Sequence, residues 1–326
     1  MDTMPYVSLC ISTYNQEKYI RETMFGALSQ DYDNLEIIVS DDCSSDSTFE
    51  IIKDITRNYN GRHKVIIRQN EKNLGIVKHY NKEVFELTQG ELLLLSGGDD
   101  VLLPETVSFA VSKIIESGCD SAAFNAYIID GESNQTGLLY NDINLPDEIY
   151  TLEDYLEGHH KTSGACRIIK RKVVETFGPL KDDCQTEDTP NLFRTFLYGK
   201  VGYCYTPNLK YRVHGNNISG FHNLMTKFNP KKIANQYQTD LDIAVKKGLI
   251  NNSVRVRVQH HIDYYIISQV AIRKLYNSIF FRRFLLLLWY CLDCRLKIGT
   301  KISFIQSVIS WTRSDLKAFI GKLRQK

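Results

Sequence analysis

The chain has 326 residues, of which 43% are hydrophobic and 24% are charged, so its composition is that of a globular protein and not of a disordered one. This length allows one large core with an appendage, or two modest domains. The formal net charge of +2 is too small to indicate nucleic-acid binding through bulk electrostatics, and we expect no nucleic-acid partner.

Strands and helices alternate over the first third of the chain. The strands are uninterrupted apolar runs, predicted at Val7–Thr13, Leu35–Ser40, Lys64–Arg68 and Glu91–Ser96. Amphipathic spacing predicts helices at Lys18–Gln30, Ser47–Tyr59 and Ile76–Leu87, and Pro104 can open a fourth helix. This alternation is typical of an α/β fold with a mostly parallel central sheet and helices on both faces.

Polar clusters follow three of the predicted strands. They are Ser12–Asn15, Asp41–Asp42 and Asp99–Asp100. Ligands of open α/β sheets bind beyond the carboxyl ends of the strands, so we expect one cleft that gathers all three clusters. Paired carboxylates after Gly97-Gly98 suit a divalent cation. Local alternatives remain open, because Asp46 or Ser47 can be a helix N-cap and Asp99-Asp100 can form a capping turn.

The order of these motifs resembles family 2 of the inverting glycosyltransferases, which have the nucleotide-binding fold called GT-A. The matching segments are Val7–Asn15, Glu36–Thr48, Asn73–Gly75, Asn81, Gly90–Glu91, Leu94–Asp100, Thr186–Asp188 and Tyr211–Ser219. The resemblance implies a metal-dependent enzyme that moves a sugar from a nucleoside-diphosphate donor, most directly UDP, to an acceptor. It further implies that the acceptor is a glycan or lipid-linked saccharide of bacterial cell-surface polysaccharide synthesis.

The resemblance also implies roles for individual residues. The residues predicted to bind the donor are Ser12, Tyr14, Asn15, Asp42, Asn73, Gly75, Asp99 and Arg212. Asp100 and His214 are predicted ligands of Mn²⁺ or Mg²⁺, and an imidazole ligand favours Mn²⁺. Asp188 is the predicted catalytic base, although it can instead be an N-cap before Pro190. Glu187 and Gly164 are predicted to bind the acceptor.

One position departs from the family pattern. The family often has an arginine immediately before the asparagine found here as Asn81, whereas this chain has Tyr80. Lys78 or His79 is a candidate for the missing positive charge.

We expect residues 1–220 to form the GT-A domain, with a nucleotide-binding half at 1–118 and an acceptor-binding half at 119–220, followed by a basic helical C-terminal region at 221–326. The longest apolar run, Phe284–Leu292, is too short to span a bilayer. Its leucines and aromatic residues are flanked by cations, a pattern that fits a helix lying on an anionic membrane or a buried helix of a small bundle.

Eight cysteines are scattered along the chain. Because the N-terminus enters the first predicted strand almost at once, we expect no signal peptide, reduced thiols, and a cytoplasmic location at the inner face of the cell membrane. Cys291 and Cys294 form a C-x-x-C pair, which we interpret as packing residues because no second pair accompanies it.

Two other functions remain open. A nucleotidyltransferase that makes nucleotide sugars is expected to have a glycine-rich basic loop after its first strand, whereas Ser12–Asn15 follows here. A non-catalytic glycan-binding scaffold on the same fold would not need to keep its acidic site residues, and all of them are present. Both alternatives are therefore disfavoured.

Overall fold

The computed structural model describes residues 4–162, 164, 167–215, 217, 220–278 and 280–324. Cys166 and three positions of the last family motif, Asn216, Ile218 and Ser219, lie outside the described residues. The chain divides into two compact units, Met1–His214 with Thr239–Asn251, and Gly215–Gln238 with Asn252–Lys326.

The first unit is built on one sheet, which has ten strands in the described part of the chain. The strands are β1 Val7–Thr13, β2 Leu35–Asp41, β3 Lys64–Gln69, β4 Leu92–Gly97, β5 Val101–Leu102, β6 Ser121–Ile129, β7 Gln135–Leu138, β8 Glu148–Tyr150, β9 Arg167–Lys170 and β10 Val201–Arg212. Their spatial order is β3-β2-β1-β4-β9-β6-β10-β5, with β7 paired to β6 and β8 paired to β10.

The first four strands pair in parallel, as do β6 and β10. β9 is antiparallel to both of its neighbours, β4 and β6, so it joins the first four strands to the rest of the sheet. The predicted mostly parallel α/β sheet is therefore confirmed, with antiparallel additions in the second half.

The helices of the first unit cover both faces of the sheet. They are α1 Ile20–Leu28, α2 Thr48–Arg57, α3 Ile76–Lys82, α4 Thr106–Ser117, α5 Leu152–Glu157, α6 Arg171–Phe177 and α7 Asp188–Tyr198. One core packs α1, α2 and α4 against Leu9 and Ile11 of β1. A second core packs α3 and α6 against Leu93 of β4 and Ile169 of β9. Strands buried on both faces explain the uninterrupted apolar runs of the sequence.

The predicted helix over residues 76–87 changes its winding part of the way along. After α3, residues Glu83–Leu87 form a π-helical turn. Such turns accommodate one extra residue and often lie at functional sites. The apolar spacing of the sequence continues through the turn, so the pattern does not reveal the change.

Thr239–Asn251 groups with the first unit, although it follows the boundary predicted at residue 220. Asp240 accounts for this placement, because its Oδ1 lies 3.0 Å from Nη2 of Arg194 and both side chains are fully buried. A buried ion pair is costly to break, since removing one partner leaves an uncompensated charge. The predicted domain division remains a prediction.

The second unit is helical. Its helices are α8 Phe221–Thr226, the first part of α9 Pro230–Lys246, α10 Asn252–Tyr276, α11 Phe280–Leu292 and α12 Ile298–Arg324. Leu275, Leu287, Tyr290 and Phe304 belong to its core. In the described part of the chain, none of the helices meets the length and hydropathy of a bilayer-spanning segment. Cys291 and Cys294 are free thiols.

Candidate active site

The carboxyl ends of three parallel strands lie side by side at one edge of the sheet. β1 lies between β2 and β4, with Thr13 opposite Asp41 and Ser12 opposite Gly97. Asp42 extends this contact, because its N–H donates to the Thr13 carbonyl at 2.9 Å. The predicted convergence of the three polar clusters is confirmed at this edge.

Asp42 is a buried carboxylate whose hydrogen bonds come from the loop before α3. Its Oδ1 accepts from the side-chain amide of Asn70 at 2.8 Å and from the N–H of Leu74 at 2.9 Å. Its Oδ2 accepts from the N–H of Gly75 at 2.9 Å, and Gly75 has a φ of +78° that favours glycine. Each carboxylate oxygen has two acceptor sites, so Oδ2 can take one further N–H donor.

Three other residues predicted to bind the donor differ in their surroundings. Asn15 has a φ of +52°, and its side-chain oxygen accepts from the N–H of Ser45 at 2.9 Å, so Asn15 ties the β1 loop to the β2 loop. Tyr14 is 43% exposed, and Asn73 is also exposed. The side chains of Tyr14 and Asn73 are therefore accessible to a ligand.

The two candidates for the missing positive charge also differ. His79 is buried, and its Nδ1 lies 3.2 Å from Oδ1 of Asp42. Burial lowers the pKa of His79 despite the opposing effect of Asp42, so the imidazole is neutral near neutral pH. Lys78 is a surface residue with its Nζ 3.2 Å from Asp182. The structure therefore removes His79 as the source of the charge and leaves Lys78.

The Asp99-Asp100 turn faces His214. Nε2 of His214 lies 3.0 Å from Oδ2 of Asp99, and Oδ1 of Asp100 accepts from the N–H of Arg212 at 3.0 Å. Asp100 is only 3% exposed. Burial raises the pKa of Asp100 well above its ordinary value, and the charges of Asp99 and Asp188 raise it further. Asp188 is therefore within electrostatic reach of Asp100.

The donor atoms at this turn suit a divalent cation. A Cβ at Gly97 would lie 2.7 Å from Oδ1 of Asp99 and 3.7 Å from Oδ2 of Asp100, so glycine leaves the space between the two carboxylates open. Among the described residues, no three His, Cys, Asp or Glu side chains are already arranged as a ligand set. Cations that bind beside substrate phosphates often take only one or two protein ligands, and the residues present fit that pattern.

Arg212 differs from its predicted role as a direct contact of the donor phosphates. Its side chain is completely buried, and its Nε donates to the Asp99 carbonyl at 2.8 Å. Nη2 donates to Glu22 at 2.7 Å, and Nη1 donates to the Asp130 carbonyl at 3.0 Å and the Ser133 hydroxyl at 2.9 Å. Because these groups use its donors inside the protein, Arg212 holds the Asp99-Asp100 turn against α1 and the β6–β7 turn.

Glu187 and Asp188 lie at the N-terminus of α7, next to Gly164. Asp188 is the first helical residue, so Glu187 and not Asp188 occupies the N-cap position. A Cβ at Gly164 would lie 2.2 Å from Oδ2 of Asp188, so a larger residue there would displace the carboxylate or the loop. The buried Arg167 fixes the helix start, because its Nη2 donates to the Asp188 carbonyl at 2.8 Å.

The proton affinities of these two carboxyl groups are raised. Partial burial raises the pKa of Asp188, whereas Arg167 lowers it. Burial, followed by the charge of Asp188, raises the pKa of Glu187 to about 8. The Asp188 side chain is still 43% exposed, so its carboxylate can be reached from the cleft. These are properties of a general base.

Glu83 is a residue of this region that the sequence analysis missed. It begins the π-helical turn and is completely buried, and its Oε2 accepts the hydroxyl of Ser12. The only available signal was an acidic residue between Tyr80 and Val84, beside the apolar face of a predicted helix. Helical spacing alone does not distinguish such an acid from a surface residue.

Comparison with known proteins identifies the family model for Glycosyl transferase family 2, which matches residues 8–178. An uncharacterized glycosyltransferase from Haemophilus influenzae is 26% identical over 277 residues, covering 81% of this chain and 83% of the relative. The poly(ribitol-phosphate) beta-N-acetylglucosaminyltransferase TarS of Staphylococcus aureus is 31% identical over 115 residues, which cover 35% of this chain and 19% of TarS. The chain therefore spans a small part of TarS.

Two solved structures share the fold. TarS residues 1–349 in complex with UDP-GlcNAc aligns with a TM-score of 0.61 and 19% identity, covering 93% of this chain and 80% of that one. The mannosyltransferase PcManGT from Pyrobaculum calidifontis, in complex with GDP-Man and Mn²⁺, aligns with a TM-score of 0.54 and 14% identity, covering 95% and 87%. At these identities the likeness supports the fold alone, and the expected GT-A fold with C-terminal helices is confirmed.

Proposed function

The chain belongs to glycosyl transferase family 2, and we propose that it is an inverting, metal-dependent enzyme that transfers a sugar from a UDP-linked donor. The proposed acceptor is a glycan or lipid-linked saccharide of cell-surface polysaccharide synthesis. The observation that carries the proposal is the meeting of three strand ends, which places the Asp42 and Asp99-Asp100 turns at one edge of the sheet. Asp188 lies close enough to this edge to raise the pKa of Asp100.

The choice of UDP follows from the hydrogen bonds of Asp42. Its two oxygens already accept three N–H donors, which leaves one acceptor site on Oδ2. A uracil ring offers one N–H at N3, which matches this single site. The exposed Tyr14 and Asn73 are chain neighbours of Thr13 and Leu74, which are hydrogen-bonded to Asp42. The TarS complex with UDP-GlcNAc supports this donor class for a protein of the same fold.

Asp100 and His214 would hold the divalent cation, and Oδ2 of Asp99 lies 3.0 Å from Nε2 of His214. Bound there, Mn²⁺ or Mg²⁺ would neutralise charge on the donor diphosphate and on the departing nucleotide. The raised pKa of the buried Asp100 supports this assignment, because a carboxyl group disfavoured as an anion gains most from a nearby cation. The complex of PcManGT with GDP-Man and Mn²⁺ supports the same requirement.

Asp188 is the proposed base. The acceptor hydroxyl oxygen forms a bond to the anomeric carbon of the donor while the bond from that carbon to the diphosphate breaks. The hydroxyl proton passes to the carboxylate of Asp188, and the nucleoside diphosphate leaves. One displacement from the face opposite the leaving group inverts the configuration. The accessible carboxylate and raised pKa of Asp188 support this role.

Glu187 and Gly164 are proposed to shape the acceptor site. With a pKa of about 8, Glu187 is largely protonated at neutral pH, so it can donate a hydrogen bond to an acceptor oxygen as well as accept one. Gly164 leaves the space beside the Asp188 carboxylate that an acceptor hydroxyl requires.

We also propose that the second unit binds the surface of an anionic membrane. The exposed apolar residues of α11 are Phe284, Leu285, Leu288, Trp289 and Leu292, and those of α12 are Ile298, Ile302, Ile305 and Ile309. Leu292 is 84% exposed and Ile298 is 77% exposed, and these two residues flank the short connection between the helices. The tip of this helical hairpin is therefore apolar.

Charge favours lipid over a second copy of the chain as the occupant of this surface. Residues 280–312 contain five Lys or Arg and one Asp, so two copies would bring like charges together, whereas anionic headgroups would be attracted.

Co-sedimentation with vesicles of phosphatidylcholine, with and without phosphatidylglycerol, tests membrane binding by the second unit. Wild type should bind only the anionic vesicles, and the double variant Leu292→Glu, Ile298→Glu should not. Ile115→Glu, at an apolar residue of the first unit that is 56% exposed, should bind as wild type does. Equal binding by all variants, or concentration-dependent self-association without lipid binding, would refute the membrane assignment.

The catalytic proposal is tested by a panel of nucleotide sugars with Mn²⁺, followed by detection of the released nucleotide. Slow release of UDP from one UDP-sugar, even with water as the acceptor, supports the transferase. Release of GDP alone would correct the donor while keeping the reaction class. Formation of pyrophosphate from UTP and a sugar phosphate would instead identify a nucleotidyltransferase, and no reaction with any donor would favour a binding protein.

A further inference from the structure

Glu83 has an unusual environment for an acidic residue. Its side chain is completely buried, and Ser12 donates a hydroxyl hydrogen bond to Oε2. Oε1 is buried with no hydrogen-bond partner among the residues that the structure describes. An ionised carboxylate normally requires several donors or a paired cation when it is removed from water. One neutral hydroxyl does not meet that requirement.

The groups that face Glu83 from the neighbouring elements do not supply the missing compensation. Ser12 and the buried thiol Cys10 lie on β1; burial raises the pKa of Cys10, and an ionised Glu83 would raise it further. Arg68 of β3 acts on Glu83 only through its electrostatic field, without a hydrogen bond to it. At the N-cap of α7, Glu187 adds a further acidic group, and an ionised Glu83 would raise the pKa of Glu187 beyond the effect of burial. The balance of these neighbours favours a neutral Glu83.

We propose that Glu83 is a positioning residue of the donor site, and that it holds the Ser12 hydroxyl at the carboxyl end of β1 as a neutral carboxylic acid. Ser12 lies opposite Gly97, which precedes the Asp99-Asp100 turn. It is also next to Thr13, whose carbonyl accepts a hydrogen bond from the N–H of Asp42. A fixed position of Ser12 therefore fixes the part of the sheet edge where the Asp42 turn and the Asp99-Asp100 turn meet. The π-helical turn brings Glu83 to this point.

The electrostatics agree with this geometry, because burial raises the pKa of Glu83 to about 8, against opposing effects of Ser12 and Arg68. A neutral Glu83 also avoids adding a negative charge within electrostatic reach of Glu187. Ionisation of Glu83 above about pH 8 should therefore weaken nucleotide binding.

A ligand-free experiment tests the protonation state. The folded pKa of Glu83 is above the ordinary value of 4.5, so its contribution to stability is complete below pH 4.5 and is lost as the pH rises to about 8. Glu83→Gln removes this contribution to the pH dependence. The urea midpoint of wild type should fall more than that of Glu83→Gln over this range. Glu86→Gln, at an exposed glutamate of the same turn, should parallel wild type. Parallel curves for wild type and Glu83→Gln would overturn the neutral-acid assignment.

A second experiment tests positioning, and it rests on the proposed donor site. Calorimetry with UDP and Mn²⁺ should show affinity reduced about tenfold in Glu83→Ala, the size expected for loss of one good hydrogen bond. Glu83→Gln should restore most of this loss near neutral pH, because its amide oxygen can still accept from Ser12. It should also lack part of the weakening that wild type shows above about pH 8.

Ser12→Ala removes the same hydrogen bond from its other end and serves if Glu83→Ala does not fold. It should weaken UDP binding by a similar factor, and adding Glu83→Gln to it should have little further effect. Wild-type affinity in both Glu83→Ala and Ser12→Ala would overturn the positioning role. Absence of UDP binding in wild type would count against the proposed donor and not against Glu83, because the ligand-free curves decide the protonation state independently.

Discussion

The candidate site has two ends, one at Asp42, which we propose binds the nucleotide, and one at Glu187 and Asp188, which we propose binds the acceptor. The carboxyl groups at these two ends have opposite environments. At the nucleotide end, buried Asp42 accepts three N–H donors from one loop and is fixed by them. At the end proposed to bind the acceptor, burial raises the pKa of Glu187 to about 8, and partial burial raises the pKa of Asp188. A carboxylate rich in donors suits recognition, whereas one poor in donors retains affinity for a proton and suits proton transfer.

The largest effect should come from removing the base at the acceptor end. Asp188→Asn cannot accept the hydroxyl proton, so transfer should fall by about 10³-fold, within the usual range for a general base. UDP affinity should change by less than about twofold, because Asp188 is not among the residues proposed to bind the donor. Turnover and calorimetry measure the two quantities. Asp183→Asn, at an exposed acid of the preceding loop, is the control. A normal rate in Asp188→Asn would show that the ends do not differ in this way.

A smaller effect is expected from crowding the same end without changing its charges. In Gly164→Ala the new Cβ would lie only 2.2 Å from Oδ2 of Asp188, so the carboxylate or the loop must move. A misplacement of this kind should reduce turnover by about 100-fold while UDP binding is retained. Gly137→Ala is a matched control, since a Cβ there has no atom within 4 Å. Unchanged turnover in Gly164→Ala would show that the space beside Asp188 is not used.

The smallest effect is expected from a change at Asp42, and it should appear in the stability of the protein. Asp42→Asn replaces one acceptor oxygen by an amide, which leaves a backbone N–H of Leu74 or Gly75 without its partner. The free energy of unfolding should fall by about 2 kcal/mol, as for a buried donor that loses a charged acceptor. Urea unfolding measures this loss. Asp182→Asn is the control, since its ion pair with Lys78 is exposed and contributes little. Equal stability in both variants would mean that Asp42 is not held as described.

The sequence predicts those parts of the molecule that local patterns determine. β1 has the predicted bounds Val7–Thr13, and the strand ends with their acidic turns meet as expected, because buried parallel strands leave continuous apolar runs. The roles of Arg212 and Glu83 could not be predicted in the same way. The partners of Arg212 come from α1 and from the turns after β4 and β6. The environment of Glu83 depends on its burial and on its hydrogen bond with Ser12 of β1. Such contacts exist only after the chain has folded.

We propose that acidic turns from separate strands jointly bind a nucleoside diphosphate through a cation. Calorimetric titration of UDP into wild type and Asp100→Ala, each with Mn²⁺ and with a chelator, tests it most directly. Wild type should bind UDP much more tightly with Mn²⁺ than without it, and Asp100→Ala should bind equally weakly in both conditions. If wild type binds UDP equally well with and without Mn²⁺, or if Asp100→Ala keeps the wild-type dependence on Mn²⁺, the proposed binding of the nucleotide through a cation is wrong.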